Sequence, residues 1–265
     1  HNKKQIISFL KENSDKNIEL VSNIDDIKKC SKNIIIVNKN SEHFRFIKLF
    51  SKKKFKVLVE KPVVDSINQY DLILNSIKKK NINFLVGFQR YYAVYFHYFK
   101  NRYLKKSPIK IEFLWFDGRR KINDEKKYLE NILYHVTSIL FIFLKKKEMK
   151  MITKEKKFLK FYYGKSEVKI SFLRKSGKKL KKIKFYFDKK PTKSIDWTDE
   201  NKIYYKINKK KQLYKPLFSV HNLQYQLFYF LSASKKNFKK LPNNILNFEY
   251  FIKFNKDINK YEVKK

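Results

Sequence analysis

Glycine is scarce in this sequence, with four in 265 residues, and proline hardly commoner, with five. The one cysteine, Cys30, excludes an intramolecular disulfide and a cysteine-based zinc cluster. A lone thiol fits a reducing compartment, and the cytoplasm is the expected location. Long apolar runs are missing. "ILFIFL" at 139–144 is the longest candidate, far short of the roughly 18 residues a helical membrane span needs, so no membrane partner is expected. No secretory leader is visible, although the first residue is His1 rather than Met. Arginine is the least expected shortage. Basic residues number 64 against 24 acidic ones, a formal charge of +40, yet only six of the 64 are Arg. Base readout and bidentate phosphate grip favour the guanidinium. Charge alone therefore implies weak, salt-sensitive attraction to polyanions and no specific nucleic-acid partner. Abundant Lys, Asn, Ile, Phe and Tyr beside few Gly and Ala follow A/T-rich codons, with lysine spread over every solvated face.

Several catalytic signatures are missing as well. There is no Gly-x-Ser-x-Gly elbow and no Cys–His nucleophile arrangement. His43, His97 and His221 lack carboxylate or histidine partners at metal-ligand spacing, so no metal site is expected.

What is present is a core and a clear order of elements. Apolar residues make up 43% and aromatics 17%, enough for two modest domains. Periodicity predicts a helix over 1–12, a short strand over 17–22 and a brief helix in "NIDDIKKCS" with Asn23 as N-cap. "NIIIVN" (33–38) reads as a strand buried on both faces of a parallel sheet. A helix over 41–54 capped by Ser41, a buried strand over 55–60, a helix over 66–81 and a strand over 82–88 follow. This alternation means βαβ units. Residues 89–104 read as helical. The pattern then changes to a strand in "PIKIEFLWFDG", a long helix near 126–146 and successive antiparallel strands in "KFLKFYYG", "EVKISFLRKSG", "KKLKKIKFYFD" and "KIYYKIN". Helices at 221–234 and 243–258 close the chain. The fold class is thus an α/β domain with a parallel sheet, residues 1–98, followed by an α+β domain with an antiparallel sheet, residues 99–265.

Three strand ends carry a resemblance. "IIIVNKNSEH" (34–43) ends on Asn-Ser-x-His, "VLVEKP" on Glu60-Lys61-Pro62, and "LVGFQRYY" (85–92) on Gly-Phe-x-Arg. In that order they resemble the Gfo/Idh/MocA oxidoreductases, the glucose–fructose oxidoreductase and inositol dehydrogenase group. The resemblance is good over 1–98 and weaker beyond. It implies a Rossmann-type domain, an open antiparallel sheet in the second domain, NAD or NADP as cofactor and a sugar-like substrate oxidised or reduced by hydride transfer. It also implies a homo-oligomer formed through that second sheet. His1 followed by a helix fits the end of the family's Gly-x-Gly-x-x-Gly-x-x-His motif, so the resemblance implies a chain that begins just after the phosphate-binding loop. The acid expected to hold the ribose is not evident, since "IELVSN" ends in Ser22-Asn23.

The implied site has two halves. Asn38, Asn40, His43, Glu60, Lys61, Pro62 and Arg90 stand where the family binds cofactor, at the carboxyl ends of parallel strands. Lys61 would project into the cleft, its amine lowered in pKa by partial burial and able to donate to a substrate hydroxyl. A carbinol oxidation also releases a proton, and histidine is a fitting base. "YLENILYHVTS" puts His135 in the family's slot for it. Leu129, Ile132, Leu133, Val136 and Leu140 form an apolar helix face, while Asn131, His135 and Ser138 share another, where Asn131 and Ser138 would orient substrate. Departures from the family pattern are Lys39 for the usual Pro, two absent glycines before the His135 helix, and Asn131 and Ser138 where Asp is frequent. A homologue that has lost catalysis is the alternative they support, and a basic nucleic-acid-binding protein is the second alternative, resting on charge alone.

Overall fold

The computed structural model describes residues 23–51, 55–64, 66–80, 83–117, 125–144, 148–155, 158–172, 179–215 and 222–233. The helices expected at 1–12 and 243–258 and the strand at 17–22 lie outside them.

The first unit is a parallel sheet in the order β1 (Asn33–Ile36), β2 (Lys56–Val59), β3 (Asn83–Val86). Its register pairs Ile35 with Leu58 and Leu58 with Leu85. Helix α1 (Ile24–Cys30) precedes β1, and the Asn23 side chain caps it by accepting the Asp25 N–H at 3.0 Å. Helix α2 (Asn40–Phe50) starts one residue before the expected cap. Lys39 is the extended N-cap residue and Ser41 sits inside the first turn, so Ser41 does not cap the helix. Helix α3 (Ile67–Lys80) returns the chain to β3. β3 is buried along its whole length although it stands at the edge of the described sheet. β1 is not. Ile34 and Ile36 are buried, but Ile35 is 43% and Val37 68% exposed. That face opens on a groove of about 310 Å³ that Ile35, Val37, Ile27 and Phe46 help to line. The apolar run predicted two covered faces, and among the described residues only one is covered.

A 3-10 helix (Gln89–Tyr92), a break at Ala93 and α4 (Val94–Tyr103) follow β3, where the sequence suggested a continuous helix. Residue 98 therefore lies inside α4, whose Phe96 and Phe99 are fully buried. The second unit is an eight-stranded sheet in the order β11-β10-β9-β8-β4-β7-β6-β5. Its members are β4 (Lys110–Asp117), β5 (Met149–Lys154), β6 (Phe158–Tyr163), β7 (Ser166–Ser171), β8 (Lys179–Tyr186), β9 (Pro191–Asp199), β10 (Lys202–Ile207) and β11 (Lys210–Leu213). All neighbours are antiparallel except β4 and β7, which run parallel with Lys110 opposite Glu167. The sequence did not single out β5, β9 or β11. β9 opens on Pro191, tolerated as a first strand residue, and its polar "PTKSIDWTD" is held by ladders to β8 and β10 on both sides. β11 is exposed at every position and carries Lys210 and Lys211, an edge that resists further pairing. The β10–β11 turn takes Asn208 at φ 53°, a left-handed conformation Asn tolerates.

Helix α5 (Glu125–Leu144) joins the two units. Leu129, Ile132, Leu133, Val136 and Leu140 are buried as expected, and Tyr134, Thr137, Ser138 and Ile139 are buried as well. One side packs on the open sheet, where Phe143 meets Phe185 edge-on at 4.9 Å. On the other, Tyr134 bonds hydroxyl to hydroxyl with Tyr70 of α3 and lies 5.9 Å from Phe88. Each such buried aromatic contributes about 1.5–3 kcal/mol through burial. Helix α6 (Asn222–Ser232) covers the other face of the parallel sheet, with Phe230 against Leu58 and Leu85. The Lys56 ammonium donates to its final carbonyls, Phe230 O at 3.1 Å and Leu231 O at 3.0 Å, which satisfies acceptors a helix end leaves open. No described helix is long and apolar enough to cross a membrane.

Candidate active site

Strand ends build one side of the site. The ladders run past β2 and β3, since the Glu60 N–H donates to Ile36 O at 2.9 Å and the Gly87 N–H to Val59 O at 2.7 Å. Glu60 and Gly87 are thereby brought side by side. A Cβ on Gly87 would lie 2.7 Å from Glu60 Oε1 and 3.1 Å from Glu60 Cα, so glycine is what lets these strand ends meet. Glu60 Oε2 accepts the Lys61 N–H at 3.3 Å. Burial pushes the Glu60 carboxyl up, with Lys61, His43 and a hydrogen bond from Gln89 acting against it. The Lys61–Pro62 peptide is cis. His43 is fully buried, with Nδ1 2.9 Å from Pro62 O and Nε2 3.0 Å from Asn38 O. It thus ties the end of β1 to the end of β2, and its ring is turned to backbone rather than to the surface. Asn38 and Asn40 stand exposed at the end of β1. The groove beside β1 includes Asn38 but neither Lys61 nor any residue of α5.

Helix α5 supplies the facing side. Tyr128, Asn131 and His135 form its half-buried stripe, spaced by three and four residues and so stacked on one face. Lys61 Nζ donates to Asn131 Oδ1 at 2.5 Å, which brings Lys61 from β2 onto that stripe. His135 stacks on Trp115 of β4, ring centroids 5.5 Å apart and planes 8° from parallel. Burial is the largest influence on the imidazole, and the charges of Lys61, Arg90 and Lys181 act in the same direction. Together they hold it well below its ordinary range, and therefore neutral. Ser138 is buried, and its hydroxyl donates to the His135 carbonyl at 2.7 Å. Its side chain is spent on its own helix, apart from the Asn131–His135 stripe.

Arg90, on the 3-10 helix after β3, reaches the second sheet. Its guanidinium donates to Glu200 Oε1 at 2.6 Å and to the Tyr95 hydroxyl at 3.3 Å. Burial works against that charge, but the Glu200 carboxylate outweighs it and holds the guanidinium above its usual value. Glu200 is itself pushed up by burial and more strongly drawn down by Arg90 and Lys181. Tyr95, buried, is pushed up to about 12.

Sequence reasoning missed three of these residues, Trp115, Lys181 and Glu200, while Gly87 stood in the Gly-Phe-x-Arg motif without a stated role. Lys181 had a visible signal. On β8 it shares the inward row with Ile183 and Phe185, and a lysine in an apolar row is a buried charge. Register puts it directly opposite Trp115, with its ammonium 5.3 Å from the indole centroid. Glu200, in a turn, carried no such signal. No group of three or more His, Cys, Asp or Glu able to hold a metal occurs among the described residues.

The class is therefore a Rossmann-type domain whose strand ends face a helix laid on an open, mostly antiparallel sheet. Residues 3–88 match the Gfo/Idh/MocA model, described as an oxidoreductase family with an NAD-binding Rossmann fold. That match lies over the Rossmann-type part of the chain and agrees with the family its three motifs resemble. Among solved structures, a dehydrogenase from Clostridium difficile is similar at 17% identity, covering 98% of this chain and 88% of its own, with TM-score 0.72. A UDP-N-acetylglucosamine 3-dehydrogenase from Acidithiobacillus ferrooxidans is similar at 10% identity over 97% and 86%, TM-score 0.70. An inositol dehydrogenase homologue from Azotobacter vinelandii, complexed with NADH and myo-inositol, is similar at 11% identity over 85% and 74%, TM-score 0.62. At such identities the likeness is one of fold. No curated protein matches the sequence.

Proposed function

We propose that this chain is an NAD- or NADP-dependent oxidoreductase acting on a carbinol of a sugar, sugar nucleotide or polyol in the cytoplasm. The observation that carries the reading is the bond from Lys61, at the end of a parallel strand, to Asn131, one helical turn before His135. The donor set at the strand ends fits the cofactor. Asn38, Asn40, Glu60, Lys61 and Pro62 surround carboxyl ends where dinucleotides bind in such sheets. When bound, the nicotinamide supplies the hydride chemistry. The residues of this chain do the rest. Lys61 donates to the reacting oxygen, Asn131 orients Lys61, and neutral His135 takes up the hydroxyl proton. The structural neighbours named for UDP-N-acetylglucosamine and myo-inositol support a sugar-like substrate.

A panel of myo-inositol, UDP-N-acetylglucosamine and free hexoses with NAD⁺ or NADP⁺ tests it through formation of reduced nicotinamide. Turnover that disappears in Lys61→Ala and His135→Ala supports the reading. Cofactor binding without turnover on any member would replace it with a homologue that has lost catalysis, the alternative that Asn131 in place of an acid favours. Self-association through the outer face of the large sheet, where Tyr162 is 45% and Ile152 37% exposed, belongs to the same proposal. A monomer by sedimentation at micromolar concentration would count against it.

A further inference from the structure

Three cations converge on the neutral imidazole, each from a different element. Lys61 comes from the end of β2 and is held by Asn131 of α5. Lys181 comes from β8, is 8% exposed, and lies over the same Trp115 ring on which His135 stacks. Arg90 comes from the 3-10 helix, with its side chain 14% exposed. Lys181 and Arg90 share the Glu200 carboxylate, at 3.7 Å and 2.6 Å. Burying charged groups is costly unless they are paired, and here one carboxylate, Glu200, is set against two of the three cations. The reaction makes the cost sharper. A base that takes up a proton becomes a cation, and Lys61, Arg90 and Lys181 all oppose that charge. A neutral substrate leaves the opposition in place, whereas a substrate anion offsets it when the proton arrives.

We propose that the substrate carries an anionic group, a carboxylate or phosphate, close to the reacting carbinol, held by Arg90 and Lys181 between Trp115 and Glu200. This rests on the reading of His135 as the proton acceptor. The anion is not consumed. It is gripped by a guanidinium suited to planar oxyanions and by a lysine fixed over an indole. Glu200, in contact with both cations, holds them in place. The cluster differs from the general lysine excess of the surface because its charges are buried and surround one titrating group.

The test is binding to the full chain, read at the site itself. Trp115 is one of two tryptophans, so its fluorescence reports occupancy, and the His135 ring titration is followed by NMR. Probes are glucuronate, glucose 6-phosphate and neutral glucose, with acetate and inorganic phosphate as fragments. The anionic sugars should bind at least about tenfold more tightly than glucose, and their binding should move the His135 titration upward by about one pH unit. Lys181→Met and Arg90→Gln should remove the discrimination, while Lys181→Arg, which keeps the charge, should retain it. Preference for glucuronate assigns a carboxylate, and preference for glucose 6-phosphate assigns a phosphate. Equal binding of charged and neutral sugars overturns the proposal. So does an absence of any response at Trp115 and His135 to every anion at tens of millimolar. These results concern the wild-type chain and do not depend on whether the variants fold. Turnover is a separate readout. Anion-dependent binding without reduced nicotinamide removes the oxidoreductase reading, whereas turnover of neutral sugars unaffected by anions removes this one.

Discussion

Lys61 and Asn131 are bonded side chain to side chain across the junction of the two sheets. They are 70 residues apart in sequence, one on a strand end and the other on the helix that carries His135. An amide can accept this proton without neutralising the ammonium, so the bond orients Lys61 and leaves its charge in place. Removing the ammonium removes a positioned donor. Lys61→Ala should lower kcat about 10²–10⁴-fold. Lys61→Arg should not restore it, because the fork is wider than the ammonium and does not lose a proton at working pH. Steady-state kinetics with the best substrate of the panel decides it.

His135 should set the acidic limb of the rate profile. Burial and three cations keep its folded pKa below the ordinary value, so the limb should fall below about pH 6.5. In His135→Asn the limb should vanish along with most of the rate. Stability carries the same sign. Above about pH 6.5 the ring is neutral whether folded or unfolded and adds no pH dependence. Below it the unfolded chain takes up the proton first, and stability falls until the folded pKa is reached. His135→Asn should flatten that part of the fall, as read from urea midpoints at about pH 7.5 and about pH 5.5.

Gly87→Ala should disturb Lys61 without touching it. The new methyl would sit 2.7 Å from Glu60 Oε1 and 2.9 Å from Cδ. Glu60, which accepts the Lys61 N–H, has to move. A loss of about 1–3 kcal/mol is expected from overpacking, together with a fall in kcat. Gly164→Ala is the control. It lies at φ 60° in an exposed turn of the large sheet, and should cost stability with no change in kcat. Equal kcat in both variants would argue against Glu60 as a support for Lys61.

His43→Ala should leave whichever carbonyl accepts the ring N–H, Pro62 O or Asn38 O, without that donor and should open a gap where the buried ring sits. An unsatisfied acceptor costs about 1–3 kcal/mol. His43→Gln, which can reach one carbonyl, should recover part of the melting temperature. A surface role for His43 would instead leave thermal stability unchanged in both variants.

Much of this protein was legible in its sequence, for reasons that are local. The apolar runs of β2 and β3, the amphipathic spacing of α3 and α5, and the Asn23 cap depend on residues within a few positions of one another. Strand ends carrying Asn-Ser-x-His, Glu-Lys-Pro and Gly-Phe-x-Arg marked the site side of the parallel sheet. The long strand–helix order followed from the same periodicities. Tertiary structure decided what local pattern cannot. β9 is a strand because β8 and β10 bond to both its edges, despite a polar sequence. β4 pairs parallel with β7 although its other neighbour is antiparallel. His43 could be read from the motif as a ligand contact, and only packing turned both its nitrogens onto backbone carbonyls. The cations about His135 come from a strand end, a 3-10 helix and a distant sheet, and Glu200 joins two of them from a turn. Electrostatic fields sum over space rather than along the chain, so local sequence determined the elements and the strand-end motifs, while the charge His135 experiences was set by the packing of the second sheet against its helix.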